Sequence, residues 1–251
     1  MAPEDDGIWR EEVRIHSYDA DFSRQATLEA ICRLFLEAAW NHAEALGVGF
    51  DHLAAQNRFW VLARLLIRVE RYARWVENLV LKTWPRAAKS VFALREFELL
   101  DRNGHQFVAG SSAWVVLDGV TKKPQRIEKM LNAIRTGPDR CAVGQESGKL
   151  SPCLGPTTVT RSVQYADIDL NGHVNSSRYV AWLMDSYPVE FHRQYQVQSL
   201  EINYMGETRG GETVTIRSQE EATGAWSHSI LRSDESEVCR SRVLWVPRGC
   251  D

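Results

Sequence analysis

Three polar side chains of the kinds that perform acid–base chemistry lie at alternate positions, Asp169, Asn171 and His173. Alternate residues of an extended segment share one face, so a carboxylate, a carboxamide and an imidazole would lie side by side. The apolar pattern that follows predicts an amphipathic helix over 175–187. The positive end of its dipole would stabilise negative charge on a reacting carbonyl. By local pattern alone, the same residues are also typical of a turn and a helix cap.

This stretch resembles the D-x-N-x-H-V-N-N-x-x-Y-x-x-W signature of fatty acyl-ACP thioesterases, which occur in plastids and bacteria. Ser176 replaces the second Asn of the signature. The matching residues are Asp169, Asn171, His173, Val174, Asn175, Tyr179 and Trp182. The resemblance implies hydrolysis of the thioester of a fatty acyl-ACP to release free fatty acid and holo-ACP.

A second stretch, LEINYMGETRGGE, is similar to the L-E-Y-R-R-E-C-G segment of the same family, with Tyr204 and Glu207 at matching positions. The resemblance implies that Glu207 joins the catalytic residues. Thr208 stands where plant members carry a Cys, and because Thr208 cannot form a thiolate, the resemblance implies no Cys nucleophile here. We therefore expect Thr208→Ala to keep most activity.

The family match gives each polar residue a role. Asp169 would activate water as a general base or attack the thioester directly, and the sequence does not separate these two mechanisms. Asn171 would orient the carbonyl or the water. His173 would polarise the thioester, donate a proton to the leaving sulfur, or hold Asp169. The backbone N–H groups of Val174, Asn175 and Ser176 are candidate donors to the oxyanion.

The elements around the stretch occur twice along the chain. A strand over 8–22, a helix over 23–46 capped by Ser23, and several antiparallel strands precede residue 118. A strand over 158–165, the helix over 175–187 and four further strands follow residue 157. Asn175, Ser176 or Ser177 would cap that second helix. The repeat predicts two copies of one α+β unit. A long helix wrapped by an antiparallel sheet is the hotdog unit. The resemblance implies two such units in one chain, as in the fatty acyl-ACP thioesterases.

The predicted architecture is therefore a double hotdog with three parts. Residues 1–120 form a first unit that holds the acyl chain, 121–157 form a linker with a short helix near 125–134, and 158–251 form a catalytic second unit. Within the strands, Pro85 is expected to close a strand over 75–84. The DRNGH run predicts a hairpin turn at 101–105.

Two further groups of residues have assignments that rest on the resemblance. Trp40, Phe59 and Trp60 would line an apolar acyl-chain pocket, although each also suits an ordinary core. Acyl carrier protein is acidic, so a basic docking patch is expected. Its candidates are Arg64, Arg68, Lys122 and Lys123, drawn from basic residues at 58, 64, 68, 71, 74, 122, 123 and 126.

Composition limits the remaining possibilities. The 251 residues are 44% hydrophobic and 25% charged, which is typical of a globular chain. The formal net charge of −3 excludes a strong general attraction to nucleic acid. No cysteine spacing predicts a zinc site, and we expect no metal, no cofactor, a cytoplasmic location, and a monomer or homodimer. The alternatives are a hotdog acyl-CoA thioesterase, a non-catalytic acyl-binding hotdog protein, and a hotdog dehydratase.

Overall fold

The computed structural model describes residues 6–127, 130 and 132–249. It divides into two compact units, Met1–Ser147 and Gly148–Asp251. The division falls inside the 121–157 segment that the sequence assigns to a linker. None of the helices in the described part of the chain is long and apolar enough to cross a membrane.

The first unit packs one long helix against a five-stranded antiparallel sheet. The helix buries Ile31, Phe35, Ala38 and His42, which recur every three or four residues and so form one face. The elements are β1 (Trp9–Arg14), α1 (Leu28–Ala45), α2 (Phe50–Ala54), β2 (Arg58–Val69), β3 (Asn78–Lys89), β4 (Phe92–Leu100) and β5 (Gln106–Asp118).

The second unit has the same plan with a shorter helix. Its helix buries Tyr179, Val180, Trp182 and Leu183. The elements are β6 (Thr157–Ser162), α3 (Ser176–Asp185), α4 (Val189–Gln194), β7 (Tyr195–Tyr204), β8 (Thr213–Ala222), β9 (Ala225–Arg232) and β10 (Glu237–Pro247).

The order of the strands shows that the two units are copies of one topology. The order is β1-β3-β4-β5-β2 in the first unit and β6-β8-β9-β10-β7 in the second. The N-caps of the long helices, Thr27 and Asn175, also occupy equivalent positions. The α+β fold with two helix-on-sheet units, predicted from the repeat, is confirmed.

The start of α1 differs from the prediction. Thr27, and not Ser23, is the N-cap, and its side chain accepts a hydrogen bond from Ala30 N–H. Residues 21–25 instead form a turn in which Arg24 has a φ of 58°. A residue in the left-handed region interrupts a right-handed helix, so the helix begins only after this turn.

Two predicted strand limits were also wrong. The strand predicted over 8–22 ends at Arg14 and is followed by a 3-10 turn at Ser17–Asp19. The strand predicted over 75–84 begins at Asn78, because Val76 has a φ of 63°. Pro85 lies inside that strand, where the pairing register shifts between Pro85 and Ala87. A proline has no N–H for the ladder, and such an irregularity accommodates it.

The short helix predicted near 125–134 includes residues 128, 129 and 131, which lie outside the described part of the chain. The predicted hairpin turn is confirmed, since Asp101 N–H donates to His105 O at 3.0 Å between β4 and β5. The short helices α2 and α4 were not predicted, because five or six residues carry too little periodicity to distinguish a helix from a loop.

Candidate active site

A tight turn between β6 and α3 holds the residues with catalytic chemistry. Ile168 and Val174 form an antiparallel bridge, and Asp169 N–H donates to His173 O at 2.9 Å. This bond brings residues 169 and 173 opposite each other. Gly172 occupies the remaining corner with a φ of 78°, a conformation that glycine adopts without steric cost.

The carboxylate of Asp169 stabilises the turn as well as facing solvent. Its Oδ1 accepts a hydrogen bond from Asn171 N–H at 2.8 Å, which is an Asx turn. Asp169 is partly exposed and Asn171 is exposed, so both side chains are accessible to a ligand. The Asp-x-Asn spacing therefore has a structural cause in addition to any chemical one.

The imidazole of His173 has an acidic partner from a distant part of the chain. His173 Nε2 lies 3.2 Å from Glu207 Oε2, and the two side chains are 27% and 43% exposed. Two hydrogen bonds to backbone carbonyls put Glu207 there. Val174 N–H donates to Thr208 O at 2.9 Å, and the Arg232 guanidinium donates to Glu207 O at 3.0 Å. A carboxylate on Nε2 fixes the tautomer and orientation of the ring, leaving Nδ1 as the proton acceptor.

Behind the turn, a buried ion pair anchors the segment to α3. Asp167 is 2% exposed and accepts from Arg178 Nε at 2.8 Å. Burial by itself raises the pKa of Asp167, but the hydrogen bond from Gln164 N–H and the Arg178 guanidinium bring that pKa below its ordinary value. This carboxylate is therefore a support for the turn and has no access to substrate.

Thr208 is fully buried, at 0% exposure. Its hydroxyl accepts a hydrogen bond from Tyr179 O–H at 2.8 Å. Burial raises the pKa of Tyr179, so the phenol stays protonated and acts as the donor. The position that carries a Cys in the plant segment is thus a packing position in this chain.

The start of α3 supplies fewer free donors than the sequence suggested. Val174 N–H is taken by Thr208 O, and Asn175 N–H donates to Asp167 O at 2.9 Å. The Asn175 side chain caps the helix by accepting from Ser177 N–H at 2.9 Å. Of the three proposed oxyanion donors, the Ser176 N–H therefore remains as the candidate. The carbonyl of the same residue accepts a hydrogen bond from Tyr204 O–H at 3.0 Å.

The first unit contains the same turn, which the sequence prediction missed. Asp21 N–H donates to Gln25 O at 2.8 Å, and Asp21 Oδ1 accepts from Ser23 N–H at 2.8 Å. Arg24 occupies the left-handed corner, as Gly172 does in the second unit. The signal was present as D-x-S-x-Q ahead of a helix cap. This copy retains a carboxylate, Asp21, at the position of Asp169. Gln25 replaces the imidazole of His173, and Ser23 replaces the carboxamide of Asn171.

Family models give the same division of the chain. The model for the acyl-ACP thioesterase N-terminal domain matches residues 7–134, and that for the acyl-ACP thioesterase C-terminal domain matches 156–247. The chain belongs to the acyl-ACP thioesterase family.

Relatives in the family are distant in sequence. The chloroplastic palmitoyl-acyl carrier protein thioesterase of Cuphea hookeriana is 24% identical over 262 residues, which include 96% of this chain and 63% of the relative. The chloroplastic dodecanoyl-[acyl-carrier-protein] hydrolase of Cinnamomum camphora is 25% identical over 264 residues, 97% of this chain and 69% of the relative. The chain thus spans less than two thirds of the length of the Cuphea protein.

Solved structures show the same fold. An acyl-ACP thioesterase from Bacteroides thetaiotaomicron superposes with a TM-score of 0.89 at 24% identity, covering 98% of this chain and 100% of that one. The 12:0-ACP thioesterase from Umbellularia californica gives a TM-score of 0.82 at 21% identity, covering 96% and 98%. The double-hotdog fold that the motifs implied is therefore confirmed.

The three residues predicted to line an acyl pocket each have a partner within the first unit. Trp40 is partly exposed and stacks on Phe50 at 5.7 Å between ring centroids. Trp60 donates from Nε1 to Val48 O at 2.8 Å, and Phe59 lies under the Lys122 ammonium at 4.6 Å. Their role in acyl binding stays a prediction.

Two of the four predicted docking cations donate hydrogen bonds within the first unit. Arg68 donates to Val143 O at 3.0 Å and Arg64 to Ser147 O at 3.4 Å, so both hold the 143–147 segment. Lys122 and Lys123 are exposed. The docking role of these four cations stays a prediction.

Proposed function

We propose that this protein hydrolyses the thioester of a fatty acyl-ACP to a free fatty acid and holo-ACP. The observation that carries the proposal is the Asp169 turn with its His173–Glu207 pair, held at the start of α3. Family membership supports the substrate class, since the relatives are named as acyl-ACP hydrolases or thioesterases.

The chemistry follows from where the groups lie. Asp169 supplies the carboxylate that activates water or attacks the thioester carbonyl, and both routes end in a new C–O bond and a broken C–S bond. His173, oriented by Glu207, accepts the proton that the water loses and passes it to the leaving sulfur. A thiol has a pKa near 8.5, so this departure needs less acid catalysis than departure of an amine. The Ser176 N–H and the positive end of α3 face the developing oxyanion.

The carrier protein is the preferred donor in this proposal, because several exposed cations would steer an acidic partner. A single exposed charge contributes little, roughly 0–1 kcal/mol, but several together raise the rate of encounter. The acyl-CoA thioesterase alternative has the same chemistry and differs in this recognition.

The test is release of free thiol from matched acyl-ACP and acyl-CoA substrates at rising salt. For acyl-ACP, kcat/KM should fall between about 20 and about 300 mM salt while kcat changes little, because screening at about 0.1 M acts over about 10 Å. Lys122→Glu with Lys123→Glu should reproduce the high-salt result. Reversing Arg64 or Arg68 is less suitable, since it also removes contacts to the 143–147 segment.

A small neutral thioester serves as the control for chemistry without docking. Its hydrolysis should respond neither to salt nor to the lysine reversals. If acyl-CoA is hydrolysed as well as acyl-ACP, and salt affects neither substrate, recognition of the carrier protein is rejected. The proposed thioester hydrolysis would then still stand. Absence of thiol release from every substrate would reject the hydrolase itself.

A further inference from the structure

Among the residues that the structure describes, a buried arginine in the first unit has no acidic partner. Arg95 lies on β4 and is 8% exposed. Alternate residues of a strand share a face, so Arg95 and Phe97 point the same way. Phe97 stacks on Phe35 of α1 with 4.7 Å between ring centroids, which shows that this face points towards the helix. Arg95 therefore lies in the interior, between α1 and the sheet.

The partners of Arg95 are both neutral. Its Nη1 lies 3.2 Å from His42 Nδ1 and donates to Thr83 Oγ1 at 3.2 Å. Burial, and secondarily the Arg95 charge, lowers the pKa of His42 to about 3, so the imidazole is uncharged. Burial also lowers the pKa of Arg95 to about 9, which still leaves it protonated at neutral pH.

The acidic residues nearest in sequence cannot reach this guanidinium. Glu96 and Glu98 alternate with Arg95 and point to the opposite face of β4. There Glu96 pairs with Arg86 at 3.0 Å and Glu98 with Arg140 at 2.6 Å. Within the described part of the chain, Arg95 has no carboxylate in contact.

The neighbouring histidine adds an unsatisfied donor. Because an arginine only donates, His42 Nδ1 must accept, and the ring proton is therefore on Nε2. His42 is 0% exposed, and its Nε2 has no hydrogen-bond partner among the described residues. Trp9 stacks on the ring at 5.7 Å and limits its rotation. A buried cation and a buried N–H thus lie together with no anionic acceptor among the described residues, an arrangement that is costly unless a ligand supplies one.

We propose that Arg95 and His42 form a carboxylate-binding site inside the first unit, which takes the carboxylate of an aliphatic chain. The guanidinium supplies the charge and His42 Nε2–H supplies a second hydrogen bond. The aliphatic part of the ligand rests on the proposed function and on the apolar face of α1 next to the site. The carboxylate has two possible sources: a free fatty acid, or the far end of a dicarboxylic acyl thioester.

The direct test is calorimetric binding of decanoate and of decanol, which have the same chain length and differ in charge. The wild-type protein should bind decanoate at least about 10-fold more tightly, the effect expected for one charge-assisted hydrogen bond. Arg95→Met should abolish the difference between the two ligands. Arg102→Met, which removes an equal charge from the exposed β4–β5 turn, should retain it.

Arg95→Met should fold normally, because replacing a buried ion by an apolar side chain of similar length is often neutral or stabilising. If it nevertheless fails to fold, His42→Phe provides the second variant, since it keeps an aromatic ring next to Trp9 and removes the Nε2 donor. It should weaken the preference for decanoate. Equal binding of acid and alcohol by the wild type, a preference that survives in folded Arg95→Met, or an undiminished preference in folded His42→Phe would overturn the proposal.

A kinetic comparison separates the two sources of the carboxylate. If the far end of an acyl chain occupies the site, an ω-carboxyacyl thioester should lose at least about 10-fold in kcat/KM on Arg95→Met, while its methyl-ended counterpart does not. If only free fatty acid uses the site, the decanoate preference remains and this kinetic loss is absent. The binding measurement does not depend on turnover. A protein that releases no thiol but still prefers decanoate would therefore refute the proposed hydrolase function and leave the carboxylate site standing.

Discussion

Replacing Asp169 by Asn tests the catalytic turn most directly, because the two turns of the chain supply a matched control. Asn keeps the Oδ1 acceptor used by Asn171 N–H at 2.8 Å and removes only the charge. Asp21→Asn makes the same change in the first unit, where Oδ1 accepts from Ser23 N–H at 2.8 Å.

The structural cost of both changes should be small. Each exchanges a charge-assisted hydrogen bond for a neutral one, a difference of about 1 kcal/mol. For a chain of this size that corresponds to a fall in Tm of about 2–4 °C. The chemical cost should differ, because loss of a positioned base or nucleophile lowers the rate at least ~10²-fold, or about 2.7 kcal/mol of transition-state stabilisation.

The assay is thiol release under saturating and limiting substrate, with thermal unfolding measured on the same preparations. Asp169→Asn should lose kcat, and Asp21→Asn should retain wild-type kcat with a comparable Tm. More than about a tenth of wild-type activity in folded Asp169→Asn would remove this residue from the mechanism. An equal loss in Asp21→Asn would show that the effect comes from the turn and not from the chemistry.

Three other expectations follow from the same contacts. Glu207→Gln should lower kcat/KM at least about tenfold, since the neutral amide no longer holds the His173 ring in one tautomer and orientation; an unchanged kcat/KM contradicts the pairing. Thr208→Val should cost about 1–3 kcal/mol of unfolding free energy, measured by urea denaturation, because the buried Tyr179 hydroxyl loses its acceptor, and adding Tyr179→Phe should recover part of it while activity persists. The pKa of Asp167 is lowered in the fold, so the stability from its pair with Arg178 is present above the unfolded pKa of about 3.8 and declines below it; Asp167→Asn should flatten that acid decline in a Tm-against-pH series.

Local sequence was sufficient wherever neighbouring residues determine the structure. Asn175 was among the predicted caps, and the DRNGH turn was predicted correctly, because caps and tight turns are made by side chains within a few residues of the backbone groups they satisfy. The repeat of helix and strands likewise predicted two copies of one unit. Local patterns failed at the start of α1, where an Asx turn around Asp21 took precedence over the good cap residue Ser23.

The catalytic assignments depended on the family motif, and the tertiary structure decided what surrounds them. Glu207 lies 34 positions after His173, and the contacts of Val174 with Thr208 and of Arg232 with the Glu207 carbonyl bring them to 3.2 Å. Spacing along the chain carries no information about such a pair, because the return path through β7 sets the distance.

Packing also decided which partners each polar residue has. Periodicity put Arg64 and Arg68 on a strand, but only the folded first unit shows that the carbonyls of the 143–147 segment occupy them. Arg95 reads in sequence as one more charge in an alternating strand, next to two glutamates. The pleat of β4 sends those glutamates to the other face, so the same residue becomes a buried cation with no counter-ion in the described part of the chain. Sequence fixes residue type and local conformation, whereas partners across the sheet exist only once the strands have paired.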